Sequence, residues 1–594
     1  MRRLFLWCVL LCVCLAVQAF GQSSNARLSG TVNDASGAVL PGVEITATNN
    51  ATGVVTTALS NDAGAYNFAS LFPGTYTVTA SLPAFQTQTF RDVQLGNAAQ
   101  IRLNVTLQVG AVATNVEVSV AANQLLLESS SSVGNVLEQK RVEDLPLVSN
   151  NVLDLVGVMA GVNVTKDNVF GANDTKFAGV AAGNINVQRD GIPITGGRWP
   201  TGLQTATTIN PDLVGEVRMI LAPVDAELGR GSGQFQIQTR SGTNSFHGGF
   251  VWDAQNSALD AHSWSENQTG ATPLWRNQPE MTARIGGPIR KNKTFFFGLF
   301  DKQWALSRES YTAFSLTPCA QRGIYRFFSG VGPTYGGGTL AAPPTWSQPN
   351  GFGAGFPQGP WVNQAGTPRT DLGPMQYASV FGPNLSFTGG TPAADCSNAV
   401  VSGGPRDPNR TQIDPTGYVN TLFKYMPPVN NYDIGDGLNV AGHRWIRHRD
   451  GGENLFAAGE PANRKQWNTK IDHIFSQKHK INGSWSFEKD YASDAFMAWP
   501  GTWEGKDYNQ PQVLTVNFVS TLSSNLVNEA RFGMNRTGTN EYAPLYNPKF
   551  HDEIFKLFPK NGSGLEFPPL LGYGQMNFHS DQIIGPAVLS LCNC

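Results

Sequence analysis

Charge is what this chain has least of. Lys, Arg, Asp and Glu make up 14% of its 594 residues, against the ~25% usual in soluble domains. The formal net charge is -2, so no strong field draws the chain to nucleic acid. No lysine occurs before Lys140, and the eight histidines are scattered. Two of them, His443 and His448, lie in a basic stretch, "GHRWIRHRD", that reads as a solvated loop. There is no H-E-x-x-H, no G-x-S-x-G and no P-loop, which removes the usual zinc-peptidase, hydrolase and nucleotide-hydrolysing signatures. The sequence therefore assigns no catalytic residue, no cofactor site and no metal site. Beyond the N-terminus no apolar run approaches the ~20 residues that a membrane-spanning helix needs.

The N-terminus reads "MRRLFLWCVLLCVCLAVQAFGQ". Arg2 and Arg3 precede an apolar core from Leu4 to Val17, and small residues follow at Ala19 and Gly21. This is the pattern of a secretory signal peptide over residues 1–21. Three of the seven cysteines leave with it. In the oxidising compartment that export implies, Cys319 and Cys396 are candidates for a disulfide, with two free thiols as the alternative. Cys592 and Cys594 have no histidine near them and suggest no metal site.

What is abundant is glycine (64 residues), phenylalanine (34) and alternation. In "VEITAT" Val43, Ile45 and Ala47 face one way and Glu44, Thr46 and Thr48 the other; "GTYTVTA" and "IRLNVTLQV" repeat this. Strict period-two patterning between Ala35-Ser36-Gly37, Asn61–Gly64 and Pro73-Gly74 turns predicts a sandwich of six or seven short strands. The residues "LSGTVNDASGAVLPGVEITATN" and "TTALSNDAGAYNFASLFPGTYTVTAS" resemble the carboxypeptidase regulatory-like domain over 27–110. That resemblance implies a transthyretin-like β-sandwich, of the kind described as a carbohydrate-binding-like fold, and no peptidase activity. Residues 111–135 read as a linker. Within it Val116 to Ala122 is either a segment that pairs with a partner's sheet edge or the last strand of the sandwich.

The next stretch mixes periods. Asn150 or Asn151 caps an apolar stripe at Val152, Leu153, Val156 and Met159, with Gly161 as its stop. "INVQRDGIPI" predicts a hairpin turning at Asp190-Gly191. Asn210 and Pro211 open a short helix that runs into a strand through Val217 and Met219. "GRGSGQFQIQTRSGTNSFHGGF" follows, with Gly229, Gly231 and Gly233 before an alternating strand. A strand, and not a helix, follows these glycines, so they are backbone-approach positions and not a phosphate loop. Ser241, Gly242, Thr243 and Asn244 then mark the exit into the next domain. The order "LPL", "VQRDGIPI", "EVRMILAPVDAELGRGSGQFQIQTRSGTNSFHGGF" resembles the plug of TonB-dependent outer-membrane receptors, in particular the Oar-like subgroup. The resemblance implies a small α/β plug over 136–243 that closes the lumen of a β-barrel. It also implies a TonB energy-transducing complex on the periplasmic side as partner.

From residue 244 onward, "TARIGGPIRKNKTFFFGLFDKQWA", "QWNTKIDHIFSQKHKINGSWSFEKD" and "VLTVNFVSTLSSNLVNEARFGMNRT" have the ~10-residue alternation and short turns of transmembrane barrel strands. Trp252, Trp485 and Phe295–Phe297 are candidates for aromatic girdles. Between 312 and 455 the alternation fails and Gly and Pro dominate, which predicts one long extracellular loop with a helix capped by Asp414. Tyr311, Tyr335, Trp346, Trp361 and Tyr377 either contact ligand or pack the loop on itself. Roughly seven strands are legible after Thr243, where the family's barrels have roughly 22, so an incomplete antiparallel barrel and a truncated or frameshifted chain are expected. The fold class is thus mainly β: sandwich, plug and partial barrel in the bacterial outer membrane. The implied function is TonB-dependent import of an unidentified extracellular ligand by plug gating. A surface adhesin that uses the barrel as its anchor in membrane lipid is the alternative.

Overall fold

The computed structural model describes residues from Asn25 to Glu553. It leaves out isolated positions and the segments 111–114, 120–126, 129–133, 159–161, 164–175, 178–184, 196–204, 221–232, 329–360, 414–417, 452–461, 494–498, 502–505 and 543–547. The expected signal peptide, Gly229, Gly231, Tyr335, Trp346, Asp414, Cys592 and Cys594 lie outside the described residues.

Period-two patterning becomes two facing sheets. One holds Ala26–Asp34, Ala65–Leu71, Gln100–Arg102, Val105–Leu107 and Leu127–Glu128; the other holds Glu44–Asn49, Val55–Leu59, Gly74–Ser81, Thr87–Leu95 and Asn115–Ser119. Leu28, Ile45, Val78 and Leu103 meet between them. The Tyr66 hydroxyl satisfies itself on Leu103 O at 2.6 Å, and burial pushes the Tyr76 phenol up to about 12. The stretch read as a linker with a strand at Val116 to Ala122 supplies strands to both neighbours. Asn115–Ser119 pairs in parallel with Thr87–Leu95, which makes it a strand of the sandwich, followed by Leu127–Glu128 in the other sheet. Gly134–Glu138 pairs antiparallel with Val214–Ile220 of the next domain.

The central domain is a five-stranded sheet ordered 134–138, 214–220, 233–239, 185–189, 192–193. Its hairpin turns at Asp190 (φ 47°) and Gly191 (φ 80°), the left-handed pair that a two-residue turn needs. Val187, Val217, Phe235 and Ile237 pack on Val152 and Leu155 of a 3-10 helix, Val152–Val158, where the apolar stripe predicts a helix. Asn151 caps it through Leu153 N at 3.2 Å. The other face of the sheet is buried too, yet carries Asn186, Gln188, Arg218, Gln234 and Gln236. A buried polar face needs a polar partner.

Asn186 and Gln188 both turn their amides to Gln234 across that face. Against the central domain stands a wall of seven long antiparallel strands in the order His247–Asn256, Arg276–Arg290, Thr294–Gln303, Asn463–Ile474, His479–Ser493, Gln512–Ser523 and Leu526–Arg536. Its alternation is inverted relative to a soluble sheet. On strand 463–474, Gln466 (0% exposed), Asn468 (1%) and Lys470 (3%) point inward while Trp467 (36%) and Ile471 (51%) point out. Phe250, Trp252, Ile285, Trp485 and Phe532 continue the outer apolar surface. Polar-in, apolar-out is the pattern of a sheet whose solvent is lipid. Trp252 and Trp485 lie on that outer face, but Phe295 and Phe297 are 2% exposed and point inward, correcting two of the girdle positions. Phe297 packs on Leu213 of the central domain.

One rim of the wall has short turns, at Lys291–Lys293 and Phe475–Lys478; the other carries the long connections. Short turns mark the periplasmic rim of outer-membrane barrels. Residues 312–455 are not one irregular loop. Leu306–Leu316 and Val440–Asp450 pair along eleven positions, so the basic "GHRWIRHRD" is a strand. Between them sits a subdomain with two small hairpins, and Cys319 and Cys396 are bonded in it. A helix spans Tyr418–Phe423.

Candidate functional site between the central domain and the wall

The polar inner face of the wall grips the central domain at two places. In the first, Asn210, which caps the short Pro211–Leu213 helix through Asp212 N at 2.8 Å, turns its amide to the wall. Its Nδ2 donates to Thr282 Oγ1 at 3.0 Å and Asp301 Oδ2 at 3.1 Å. Beside it Thr208 N donates to Glu488 Oε2 at 2.8 Å, and Gln466 Nε2 donates to Thr208 O at 2.6 Å. Arg464 ties the cluster together. Its guanidinium reaches Glu280 at 2.7 Å, Asp301 at 3.0 Å and Thr208 Oγ1 at 3.3 Å, and its side chain is 1% exposed. Charge this deeply buried persists only when paired.

The second grip is at the hairpin turn. Asp190 accepts from Thr239 N at 3.0 Å and Thr239 Oγ1 at 2.7 Å within its own sheet. From the wall it takes Ser484 Oγ at 2.9 Å and Lys470 Nζ at 3.4 Å. Asn517 Nδ2 donates to its backbone carbonyl at 2.9 Å, and Arg531 Nη1 to Gly191 O at 3.3 Å. Arg189, fully buried, donates to Ser486. Burial alone would raise the Asp190 carboxyl; Lys470, Arg189 and the two Thr239 bonds outweigh it and hold the group below its ordinary value. A carboxyl lowered on folding contributes stability above its unfolded pKa, about 3.9, which is lost as pH falls through the lower folded value. Amide protection of strand 185–189 is therefore expected to be flat from pH 7 to about pH 5 and to fall below about pH 4. Asp190→Asn is expected to flatten the acid limb, measured by hydrogen exchange; an unchanged acid limb in that variant would remove Asp190 from the latch.

The exit residues behave individually. Gly242 has no room for a side chain: a Cβ there would lie 2.3 Å from Phe296 O and 2.6 Å from Gly287 O. Gly233 opens its strand with only an ordinary 3.5 Å contact to Ile185, so close approach does not explain it. The Ser241 hydroxyl bonds Asp472, Thr243 Oγ1 donates to Ser245 O at 2.9 Å, and Asn244 faces the sandwich. The loop aromatics separate as well. Trp361 is buried against Phe328 and Leu438, and Tyr377 packs edge-on to Phe387, centroids 5.0 Å apart; both hold the subdomain together. Tyr311 lies on strand 306–316 beneath the Arg447 guanidinium, 4.4 Å from the ring centroid. Arg464, Glu488, Asp301 and Asn210 carry no motif. Asn210 is legible only as a helix cap before Pro211; for the other three, inward positions of alternating strands are the signal, which becomes informative once sidedness is known.

Comparison with known families bears on this arrangement. Residues 238–584 match the model of the outer membrane beta barrel domain. The chain belongs to that family. Residues 27–108 match the carboxypeptidase regulatory-like domain and 126–234 the TonB-dependent receptor plug domain, so it has the make-up of a TonB-dependent receptor of the Oar-like kind. The TonB-dependent transporter Oar of Myxococcus xanthus is 27% identical over 304 residues, covering 48% of this chain and 27% of that protein. The chain thus spans about a quarter of the length of this curated relative. Among solved structures, P. aeruginosa FpvA bound to heterologous pyoverdines (12% identity, TM-score 0.27) shares 70% of this chain and 44% of its own. The ferric-catecholate import receptor Fiu of E. coli K12 (9%, TM-score 0.29) shares 70% and 50%.

Proposed function

We propose that this receptor imports a ligand across the outer membrane, with the central domain as a gate that a TonB energy-transducing complex displaces. The observation that carries the reading is the chemistry of the central-domain interface with the wall. An apolar interface of this extent would be welded shut, since each buried Leu-sized side chain contributes about 1.5–3 kcal/mol. Hydrogen bonds that re-form with water contribute only about 0.5–1.5 kcal/mol each net. A gate seated mainly by polar contacts, with Phe297 on Leu213 and Val513 on the central-domain core as its apolar ones, can therefore be drawn away and reseat. Tyr311, on a strand beyond the rim with long connections and held by the Arg447 guanidinium, is the proposed ligand contact, and the ligand itself is unidentified.

A disulfide across the gate tests this. The Cβ that Gly533 lacks would lie 2.4 Å from Ile192 Cγ2, so Ile192→Cys with Gly533→Cys places two thiols within bonding reach. Receptor-dependent uptake in cells is expected to vanish in the oxidised form and return on reduction. Equal uptake in both forms would contradict gating by this domain.

A further inference from the structure

The sandwich does not hang free below the barrel. Its 49–54 turn reaches the exit of the central domain at the short-turn rim: Asn244 N donates to Ala51 O at 3.1 Å, and Asn244 Nδ2 donates to Thr52 O. The same amide is fixed to the rim turn, with Nδ2 to Asn292 Oδ1 at 2.5 Å and Asn292 N to Asn244 Oδ1 at 2.8 Å. Gly53 completes the fit. Its φ is +66°, and a Cβ would lie 2.8 Å from Asn244 Nδ2 and 3.0 Å from Asn292 Oδ1. A second turn is held by the wall: Lys480 Nζ donates to Ser70 O at 3.2 Å and stands 5.2 Å over the Phe72 ring.

We infer that the sandwich is a releasable brace that clamps the central domain's exit in the closed state and must let go before that domain can move. Asn244 is where the three domains meet. It is the last residue of the exit, and one side chain joins sandwich, exit and rim, so the exit cannot shift while all three bonds stand. Two residues earlier Gly242 is wedged under two wall carbonyls, so a displacement at 244 is transmitted into strand 233–239.

The contact is also built to release. Its bonds are mainly to backbone carbonyls, which water can replace, and it leaves a cavity of about 450 Å³ between the three domains. Asn49 and Tyr76 of the sandwich, Gln238 and Arg240 of the central domain and Asp472 and Asn482 of the wall line it. An interface around such a cavity lacks the close packing that makes domain contacts permanent. Among the described residues Lys480 meets the sandwich through a carbonyl and a ring rather than a carboxylate, so water can take over its hydrogen bond when the domains part.

The inference rests on the gating role proposed above. Its test uses neither ligand nor TonB, so the two can fail separately. Hydrogen exchange is followed in the whole chain in lipid. Lys480→Met loosens the sandwich without touching the exit, and Phe72→Ala does so from the sandwich side, by removing the ring under Lys480, should the first variant fold poorly. Exchange is expected to rise about tenfold at Asn244 and through strand 233–239, the effect of losing one or two hydrogen bonds. A Thr52→Cys, Asn292→Cys disulfide is expected to slow both. Faster exchange at Asn244 with strand 233–239 unchanged would show a sandwich that docks without bracing. No change at either would show that the docking contact carries no free energy. Either result overturns the inference.

Discussion

Arg464→Ala is expected to cost the structure about 3–5 kcal/mol, the usual penalty for removing one partner from a buried ion network. The side chain is 1% exposed and is the shared cation of Glu280 and Asp301. Without it two carboxylates lie buried beside each other, directly under Asn210 and Thr208 of the central domain. The loss should appear as a lowered urea midpoint of the receptor in detergent, with no change in slope. Arg464→Lys should recover only part of it, because an ammonium supplies the charge without the guanidinium fork that reaches both acids. A shift under about 1 kcal/mol for the alanine variant would mean that water already solvates the cluster, and the latch described above would then be no barrier to movement.

The second large effect lies outside the membrane. The Cys319–Cys396 bond joins residues 77 apart, and closing a loop of that length removes roughly 4 kcal/mol of unfolded-state entropy. Cys319 and Cys396 pack with Ile324, Tyr377 and Phe387 in a small core, too small to hold the subdomain alone. Cys319→Ser is expected to open it, so that limited proteolysis cuts within 318–402 at least tenfold faster. Wall strands should stay protected. Cys396→Ser should match it, and the double variant should be no worse. Equal cleavage rates in variant and parent would show that the core, and not the cross-link, maintains this subdomain.

Much of this architecture was legible because strand alternation survives into structure unchanged. Ile45, Val78 and Leu103 point to the sandwich core as their period predicts, and the Asp190-Gly191 turn has the backbone that its residue types favour. Barrel strands were legible as strands, but not their sidedness near the central domain. Phe295 and Phe297 look like girdle residues in sequence and instead face inward, because their register with Asp472 and Lys470 puts them on the buried face. The segment 440–450 was hidden for a related reason. Arg444, Arg447, His448 and Arg449 read as a solvated run, yet Arg447 and Arg449 alternate inward to Glu309 while Ile446 is exposed. This strand carries charge on both faces, Arg444 and His448 outward and Arg447 and Arg449 inward, so polarity alone does not distinguish strand from loop. The latch was least legible of all. Arg464, Thr208 and Glu488 come from segments about 256 and 280 residues apart, and only the folded wall brings them together.

The central claim is that the central domain leaves its seat when TonB pulls. Ser486 reads this directly: it is 1% exposed, lies on the wall, and meets Arg189 of the central domain. In cells carrying Ser486→Cys, an externally added maleimide is expected to label the thiol when the TonB protein is present and to leave it unlabelled when TonB is deleted. Equal labelling in the two strains, or none in either, would contradict the account.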